Sequence, residues 1–375
     1  MENKILKALA SLRVALSCMG LSIILVFWGT LAQVQLGTYN AQKVFFDSFV
    51  VFQKIGHVNV PVFPGGLSIG FLWLLNLSAA FIVRFRPTTN KMGLFISHAG
   101  LILLLAGQLL TQLYSIETQL PIQVGQSLNY SESSRDTELI VIDQSDPEFD
   151  EVTSIPISIV QKKGVIRPPL LPFELMVKEF FHNSELTIAT QDETQANLKG
   201  IGNRIKALPL PPVTTDDQPN TVTAFIEIIS QEENLGTWLV SSGLGAPQIF
   251  NVGGKTYEIR IQHRRTYVPF TLTLKEFNHD LYPGTNIPKN FSSLVQLTHP
   301  EKNEKRDVLI YMNHPLRYEG KTFYQASFGN NNTLSVFQVV ENPFAPSPYI
   351  ACGLMALGMA FHFLMTLRKF LKEPR

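Results

Sequence analysis

The sequence predicts a polytopic α-helical membrane protein with four transmembrane helices and a large extracytoplasmic all-β domain containing two related halves. Three observations carry that prediction. Apolar residues gather into four blocks, each long enough to cross a bilayer; short alternating runs fill the stretch between the third and fourth; and cations crowd one side of the blocks. Whole-chain averages hide this pattern. The 375 residues carry a net charge of +1, 45% are hydrophobic and 16% are charged. That charged share is below the roughly 25% of soluble domains. The near-neutral balance gives no reason to expect nucleic acid or an acidic substrate.

The first block, 14–32, follows Lys4, Lys7 and Arg13. It is too long for the apolar core of a signal peptide and no small-x-small site follows it, so it reads as a retained membrane helix. The second block, 65–84, starts at the rigid turn Pro61-Val-Phe-Pro64-Gly-Gly66. The third is 93–113 and the fourth 349–367. Arg84, Arg86 and Lys91 crowd the connection between the second and third, and Arg368, Lys369, Lys372 and Arg375 follow the fourth. The loop 33–64 holds only Lys43 and Lys54. Cations mark the cytoplasmic side, which puts both termini in the cytoplasm and the β domain outside. The chain therefore divides into a membrane block (1–113), a β domain (114–347) and a last helix with its tail (348–375). Residues 44–53, with Phe45, Phe46, Phe49 and Phe52, read equally as a helix at the lipid interface or as packing beneath the soluble domain.

Alternating runs at 138–142, 173–177, 221–229, 256–261, 270–274, 294–297, 308–312 and 333–340 predict strands of a sandwich or barrel. The acidic run 131–151 and the cluster Pro209–Pro212 with Pro219 read as loops. There is also an internal repeat. Pro172-FELMVKEFFH-182 matches Pro269-FTLTLKEFNH-279 at seven of eleven positions, at an offset of 97, and Gly254-KTYEI resembles Gly320-KTFYQ. Self-similarity at a fixed offset marks two related halves. His182 and His279 are then equivalent, which favours a structural role for both.

Chemistry-bearing residues are few. Cys18 and Cys352 lie in apolar blocks and form neither a CxxC pair nor a zinc spacing. No constellation for nucleophilic or general acid–base catalysis is visible. His98 is the ionisable side chain of the third block, and such a residue inside a membrane helix is a functional candidate by default. Its plain alternative is a neutral imidazole bonded to a neighbouring helix. His362 lies in the fourth block, six residues inside Arg368, while His98 lies seven inside Lys91. Both sit about 9–10 Å from the cytoplasmic edge at roughly 1.5 Å per residue. Two imidazoles at matched depth can clamp one metal centre or merely hydrogen-bond.

The most specific text is Val308-LIYMNHPLRYEGKTFYQASFG-329: a strand, a turn forced by Asn313-His314-Pro315, a turn at Glu319-Gly320, and a second strand. It resembles the signature of the ResB-type cytochrome c biogenesis proteins. So do Gly29-Thr30, Phe63-PGG-66, His98-AGLILLLAG-107 and Asn342-Pro343, in the same order along nearly the whole chain. The resemblance implies a multi-pass protein of the bacterial cytoplasmic membrane, working with a CcsA-type membrane partner in System II. Haem b is then a transported, transiently bound substrate, joined to the CxxCH motif of apocytochrome c. His98 is implied to be an axial ligand of the haem iron, with the opposing ligand on the partner.

Trp28, Trp73 and Trp238 are isolated. The tryptophan-rich external segment that the family places on the partner is lacking, so the resemblance implies an unfused half with the chemistry on that partner. The chain has no cysteine pair, which implies a separate thiol-reducing system. His362 remains a second ligand candidate. His314, Arg264 and Arg265 are candidates for contact with haem propionates, because arginine forks onto carboxylates. Against these stand a turn histidine and a solvated strand end. Two rival functions follow from the same residues: a membrane-anchored scaffold or sensor whose β domain binds protein, and a b-type cytochrome using His98 and His362.

Overall fold

The structure is a computed structural model that describes residues 2–56, 58–84, 91–146, 149–189, 198–213, 220–230, 233–285, 288–329 and 333–372. Arg86, Pro219 and Arg375 lie outside the described residues. In chain order the helices are α1 (Glu2–Leu9), α2 (Leu12–Ala41), α3 (Gly66–Arg84), α4 (Met92–Tyr114), α5 (Ile157–Val160) and α6 (Ser347–Lys372). The first strands are β1 (Val50–Ile55), β2 (Val58–Pro64), β3 (Ile116–Gln123), β4 (Ser127–Asp143), β5 (Glu151–Pro156), β6 (Gly164–Ile166), β7 (Phe173–Phe181), β8 (Ser184–Ile188), β9 (Leu198–Lys199) and β10 (Ile205–Pro209). The rest are β11 (Thr223–Ser230), β12 (Asn234–Ser241), β13 (Gln248–Val252), β14 (Lys255–Leu281), β15 (Pro288–His299), β16 (Glu304–Tyr311), β17 (Leu316–Tyr318), β18 (Lys321–Gly329) and β19 (Leu334–Glu341). They form a helical unit, up to Ile116 and again from Glu341, and a β unit from Glu117 to Val340.

Among the described residues four helices are long and apolar enough to cross a membrane: Leu12–Phe46, Gly66–Val83, Met92–Tyr114 and Ser347–Leu371. Their outer faces expose large apolar side chains such as Phe27 and Phe363, which suits hydrocarbon better than water. The first helix outruns the predicted 14–32. At about 1.5 Å per residue it would be about 45 Å long if straight, but Gly37 sits at φ 74°, ψ 164° and breaks it. That positive φ costs glycine nothing and other residues a good deal. The chain then turns through the π-helical segment Gln42–Phe46 and lays Phe45 and Phe46 back on Trp28 and Gly29.

Residues 44–53 do not continue as an interfacial helix. From Val50 they enter the β1–β2 hairpin, with Val51 opposite Phe63. β-branched Val50 and Val51 favour the extended backbone. Val51 is buried with Leu25, Phe45 and Ile69, which anchors the base of the hairpin to α2 and α3. Asn76 of α3, 4% exposed, donates its Nδ2 to the carbonyls of Leu9 (2.5 Å) and Ser11 (3.1 Å). The Leu9 carbonyl is one of the acceptors that the end of α1 leaves open, and the Ser11 carbonyl belongs to the N-cap of α2, so the amide ties the junction of the two helices to α3.

Helices α4 and α6 run antiparallel in close contact. Gly93, Gly100 and Gly107 recur every seven residues and face Gly358, Met355, Ala351 and Ser347 of α6. A Cβ on Gly93 would lie 2.5 Å from the His362 backbone nitrogen and 2.6 Å from the Gly358 carbonyl oxygen. One on Gly358 would lie 2.4 Å from Ser97 Oγ. Small residues on both helices are thus what lets the backbones touch, the usual means of association where there is no hydrophobic drive between helices. Thr111 and Asn342 continue the contact in side-chain hydrogen bonds.

In the β unit a ten-stranded sheet has the order β16-β15-β14-β4-β3-β19-β18-β17, with β13 added to β14 and β5 to β4. A five-stranded sheet has the order β6-β7-β11-β12-β9. The 27-residue β14 joins the runs predicted separately at 256–261 and 270–274. It stays one strand because it bends through irregularities at His263/Arg265 and Tyr267/Leu272 while paired with β4. Its first half packs Ile259 and Ile261 with Leu139, Leu175, Ile226 and Val240. Its second half packs Phe270, Leu272 and Leu274 with Val295, Leu297, Phe323 and Phe337. Each large apolar side chain so buried stabilises by about 1.5–3 kcal/mol.

The acidic run 131–151 is largely strand rather than loop. Residues 131–143 belong to β4, because their acids find partners across the sheet. Glu132 takes Arg265, and buried Glu138 accepts from Ser154 Oγ (2.6 Å) and Gln262 Nε2 (3.1 Å). The repeated segment has the same layout in both places. Phe173, Leu175 and Val177 are buried in one core, and Phe270, Leu272 and Leu274 in the other. β7 bulges at Lys178 and β14 at Lys275, and these lysines pair with Glu227 and Asp307. Both Gly253-Gly254 and Glu319-Gly320 have positive φ at two successive residues, as type I′ hairpins require.

Replacing Gly93 with alanine is expected to destabilise the helical unit by about 1–3 kcal/mol through overpacking. Gly70 of α3 has nothing within 4 Å of an added Cβ, so Gly70→Ala should be neutral or stabilising by up to about 1 kcal/mol. Thermal unfolding in detergent micelles compares the two.

Candidate functional site

His98 sits one turn into the apolar part of α4. Successive helical residues are about 100° apart, so it lies about 100° from Ser97 and about 140° from Gly93, off the glycine face. On its own side, Phe95 one turn earlier packs on Phe81 of α3 with ring centroids 4.6 Å apart. His98 is half-buried, and its Nδ1 lies 2.8 Å from the Leu94 carbonyl oxygen. That oxygen can only accept, so Nδ1 carries the proton and the lone pair of the neutral ring is on Nε2. A hydrogen bond that sets the tautomer of a metal-binding imidazole in this way is the common second contact of such ligands.

His362 belongs to the α4–α6 contact itself. Its backbone nitrogen and Cβ lie against Gly93, five residues before His98, so the two histidines are separated by about 7.5 Å along α4. The matched depths read from the flanking cations therefore become a stagger of more than one turn. His362 Nδ1 is buried with no hydrogen-bond partner. One helix presents its histidine at the glycine face and the other away from it.

The three remaining candidates are in the β unit. Arg264 pairs with Asp136 (Nη2–Oδ2 3.1 Å), both more than half exposed, an ion pair of the kind worth about 0–1 kcal/mol. Arg265 donates Nε to Glu132 Oε1 at 2.9 Å and lies 4.1 Å from the Tyr130 ring centroid. Both guanidinium groups thus already hold a carboxylate of their own sheet. His314 is exposed in the turn after β16, stacked on Tyr311 at 4.1 Å, with Asn313 before it at φ 62°. No group of three or more His, Cys, Asp and Glu side chains is arranged for a metal ion among the described residues.

A cleft of about 550 Å³ opens beside Asp143, Glu151, Leu170, Ser230, Lys255 and Tyr257. Lys255 Nζ lies 2.7 Å from Asp143 Oδ2, and the Ser145 amide donates to Oδ1 at 3.0 Å. The lysine hydrogen bond, followed by that of Ser145, brings the Asp143 carboxyl from 3.8 down to about 2. Burial pushes the Tyr257 hydroxyl up.

Sequence reasoning reached His98 but not what orients it. A backbone carbonyl carries no residue identity, although the i−4 position of any helical histidine could have been checked. The sevenfold spacing of Gly93, Gly100 and Gly107 was legible and is the signal that separates the faces of α4. His279, read as structural, has Nε2 buried without a hydrogen-bond partner.

Four membrane-length helices and a large β unit are the features of a membrane-associated protein with a β-rich domain, and the helices are compatible with that class by length and composition. Residues 236–336 match the family model described as the ResB-like family. Protein NrfI of Wolinella succinogenes is 29% identical over 103 residues, covering 28% of this chain and 11% of that protein. The matched stretch, which does not include His98, lies in the β unit and carries Arg264, Arg265, His279 and His314. The aligned stretch is about a tenth of the relative's length.

A depressed carboxyl contributes stability above its unfolded value and loses it as pH falls through the folded one. For Asp143 that window runs from about 3.8 down to about 2. Asp143→Asn should therefore lower the melting temperature at pH 7 and flatten its fall across this window, as followed by circular dichroism.

Proposed function

We propose that this chain is a haem-conduit subunit in cytochrome c biogenesis. The observation that carries the reading is the 2.8 Å contact from His98 Nδ1 to the Leu94 carbonyl. It fixes the Nδ1 end of an imidazole that stands on an apolar helix at a position off the glycine face. Imidazole is the usual axial ligand of haem iron, which fits this residue and its orientation. Haem is the cargo here, and iron coordination is the chemistry it supplies when bound.

In this reading His98 binds haem b on one side as it passes between helices, and α4, braced by α6, sets the angle at which the ring is held. The apolar side chains around His98 exclude water from the bound ring. The opposing ligand comes from a CcsA-type membrane partner, because His362 is staggered from His98 and committed to the α4–α6 contact. The cationic flanks support cytoplasmic termini and an extracytoplasmic β unit in the bacterial cytoplasmic membrane. That unit faces the partner and the CxxCH segment of apocytochrome c, and thioether formation takes place on the partner. The shared burial pattern, bulge position and salt-bridging lysine of the repeated segments support two related halves in the β unit.

His98→Ala is expected to abolish cytochrome c maturation and remove the haem absorbance of the chain purified with its partner, at unchanged protein level. His362→Ala should retain both. Normal maturation in the His98→Ala strain would overturn the conduit and favour the scaffold function. Loss of haem from the isolated chain on changing either histidine would favour the b-type cytochrome.

A further inference from the structure

We propose that the β unit holds a second haem-contact site, formed by His279 with Phe277, Phe291 and Phe328. The identity of the ring rests on the conduit function; the site itself rests on the following geometry. After its bulge at Lys275, β14 pairs Phe277 with Ser293 and His279 with Phe291. Ser293 and Val295 are fully buried, so Phe277 and His279 continue the inward face of the strand beyond the Leu272–Leu274 core. The His279 ring lies 5.2 Å from Phe291 at 27° and 4.5 Å from Phe328 at 46°. Phe328 also meets Phe277 at 5.6 Å and Phe291 at 5.1 Å.

Within this aromatic enclosure His279 Nε2 is buried and has no hydrogen-bond partner among the described residues. Buried polar atoms nearly always have one, and an exception calls for an explanation. The fold does not supply it. At the equivalent position of the repeat, His182 is exposed and its ring is perpendicular to that of Phe180, at 4.9 Å. His182 stands in the bend just past β7, whereas His279 stands within β14, so the repeat does not account for the enclosure of His279.

A ligand that answers the geometry has flat apolar faces for the phenyl rings and a Lewis-acidic centre for the nitrogen. A metalloporphyrin has both. Phe328 is the wall that can yield, being 37% exposed while its neighbours Phe277 and Phe291 are half-buried. When its ring swings out, Nε2 opens toward solvent and a haem face takes its place. The Nε2 lone pair then replaces water on the iron, with no change in oxidation state.

The test is a titration of the full chain in detergent with ferric haemin, followed by the Soret band. In a His98→Ala background we expect a remaining histidine-ligated haemin step. Adding His279→Leu should weaken it by about tenfold or more, with the near-ultraviolet circular dichroism and melting temperature unchanged. Adding Phe328→Ala instead should speed binding. Should His279→Leu melt early, His279→Gln replaces it, keeping a polar atom that ligates ferric haem poorly. Superimposable titrations with and without His279 overturn the site and leave the conduit standing. Loss of all binding on changing His279 alone, with His98→Ala silent, supports the site and leaves the conduit to the maturation assay with the partner present. Absence of haemin binding by the unaltered chain overturns the site and leaves the conduit, whose haem needs the partner's ligand, standing.

Discussion

The contact on which the candidate membrane site depends is the backbone-to-backbone approach of α4 and α6 at Gly93, Gly100, Gly107 and Gly358. Lipid offers no hydrophobic gain for bringing two apolar helices together, so their association rests on packing and on hydrogen bonds such as Thr111 with Asn342. The glycine spacing decides which side of α4 is spent on α6 and which remains for other contacts. His98 lies on the latter side and His362 on the former. The difference between a site completed within the chain and one shared with a partner follows from that azimuth. It does not follow from depth in the membrane.

Depth was what the flanking cations conveyed, and this explains how far the sequence could be read. Four apolar helices, their approximate limits and the β character of the stretch between them were legible, since composition and period report directly on burial. The course of 33–64 was not. Its hairpin is set by Gly37, by the fold-back of Phe45 and Phe46, and by a valine that meets Leu25 and Ile69 from far along the chain. The acidic run was misjudged for the same reason. Glu132 and Glu138 are at home in a strand only because Arg265, Ser154 and Gln262 stand across from them.

Site residues divide in a similar way. An ionisable side chain in an apolar helix stands out in a string of letters, so His98 was singled out as a candidate. Arg264 and Arg265 also stand out, yet each is matched by an acid of β4 that sequence order places more than a hundred positions away. The repeat drew attention to His182 and His279 as equals. They part company in three dimensions because Phe291 and Phe328, which enclose the second, come from strands outside the repeated segment.

β14 passes through both cores of the β unit, with Ile259 and Ile261 in one and Phe270, Leu272 and Leu274 in the other. A strand shared in this way ties the folding of the two lobes together. Undoing either core exposes half of β14 and strips pairing from β4, so neither lobe has a complete boundary of its own. The unit is thus one cooperative folding block.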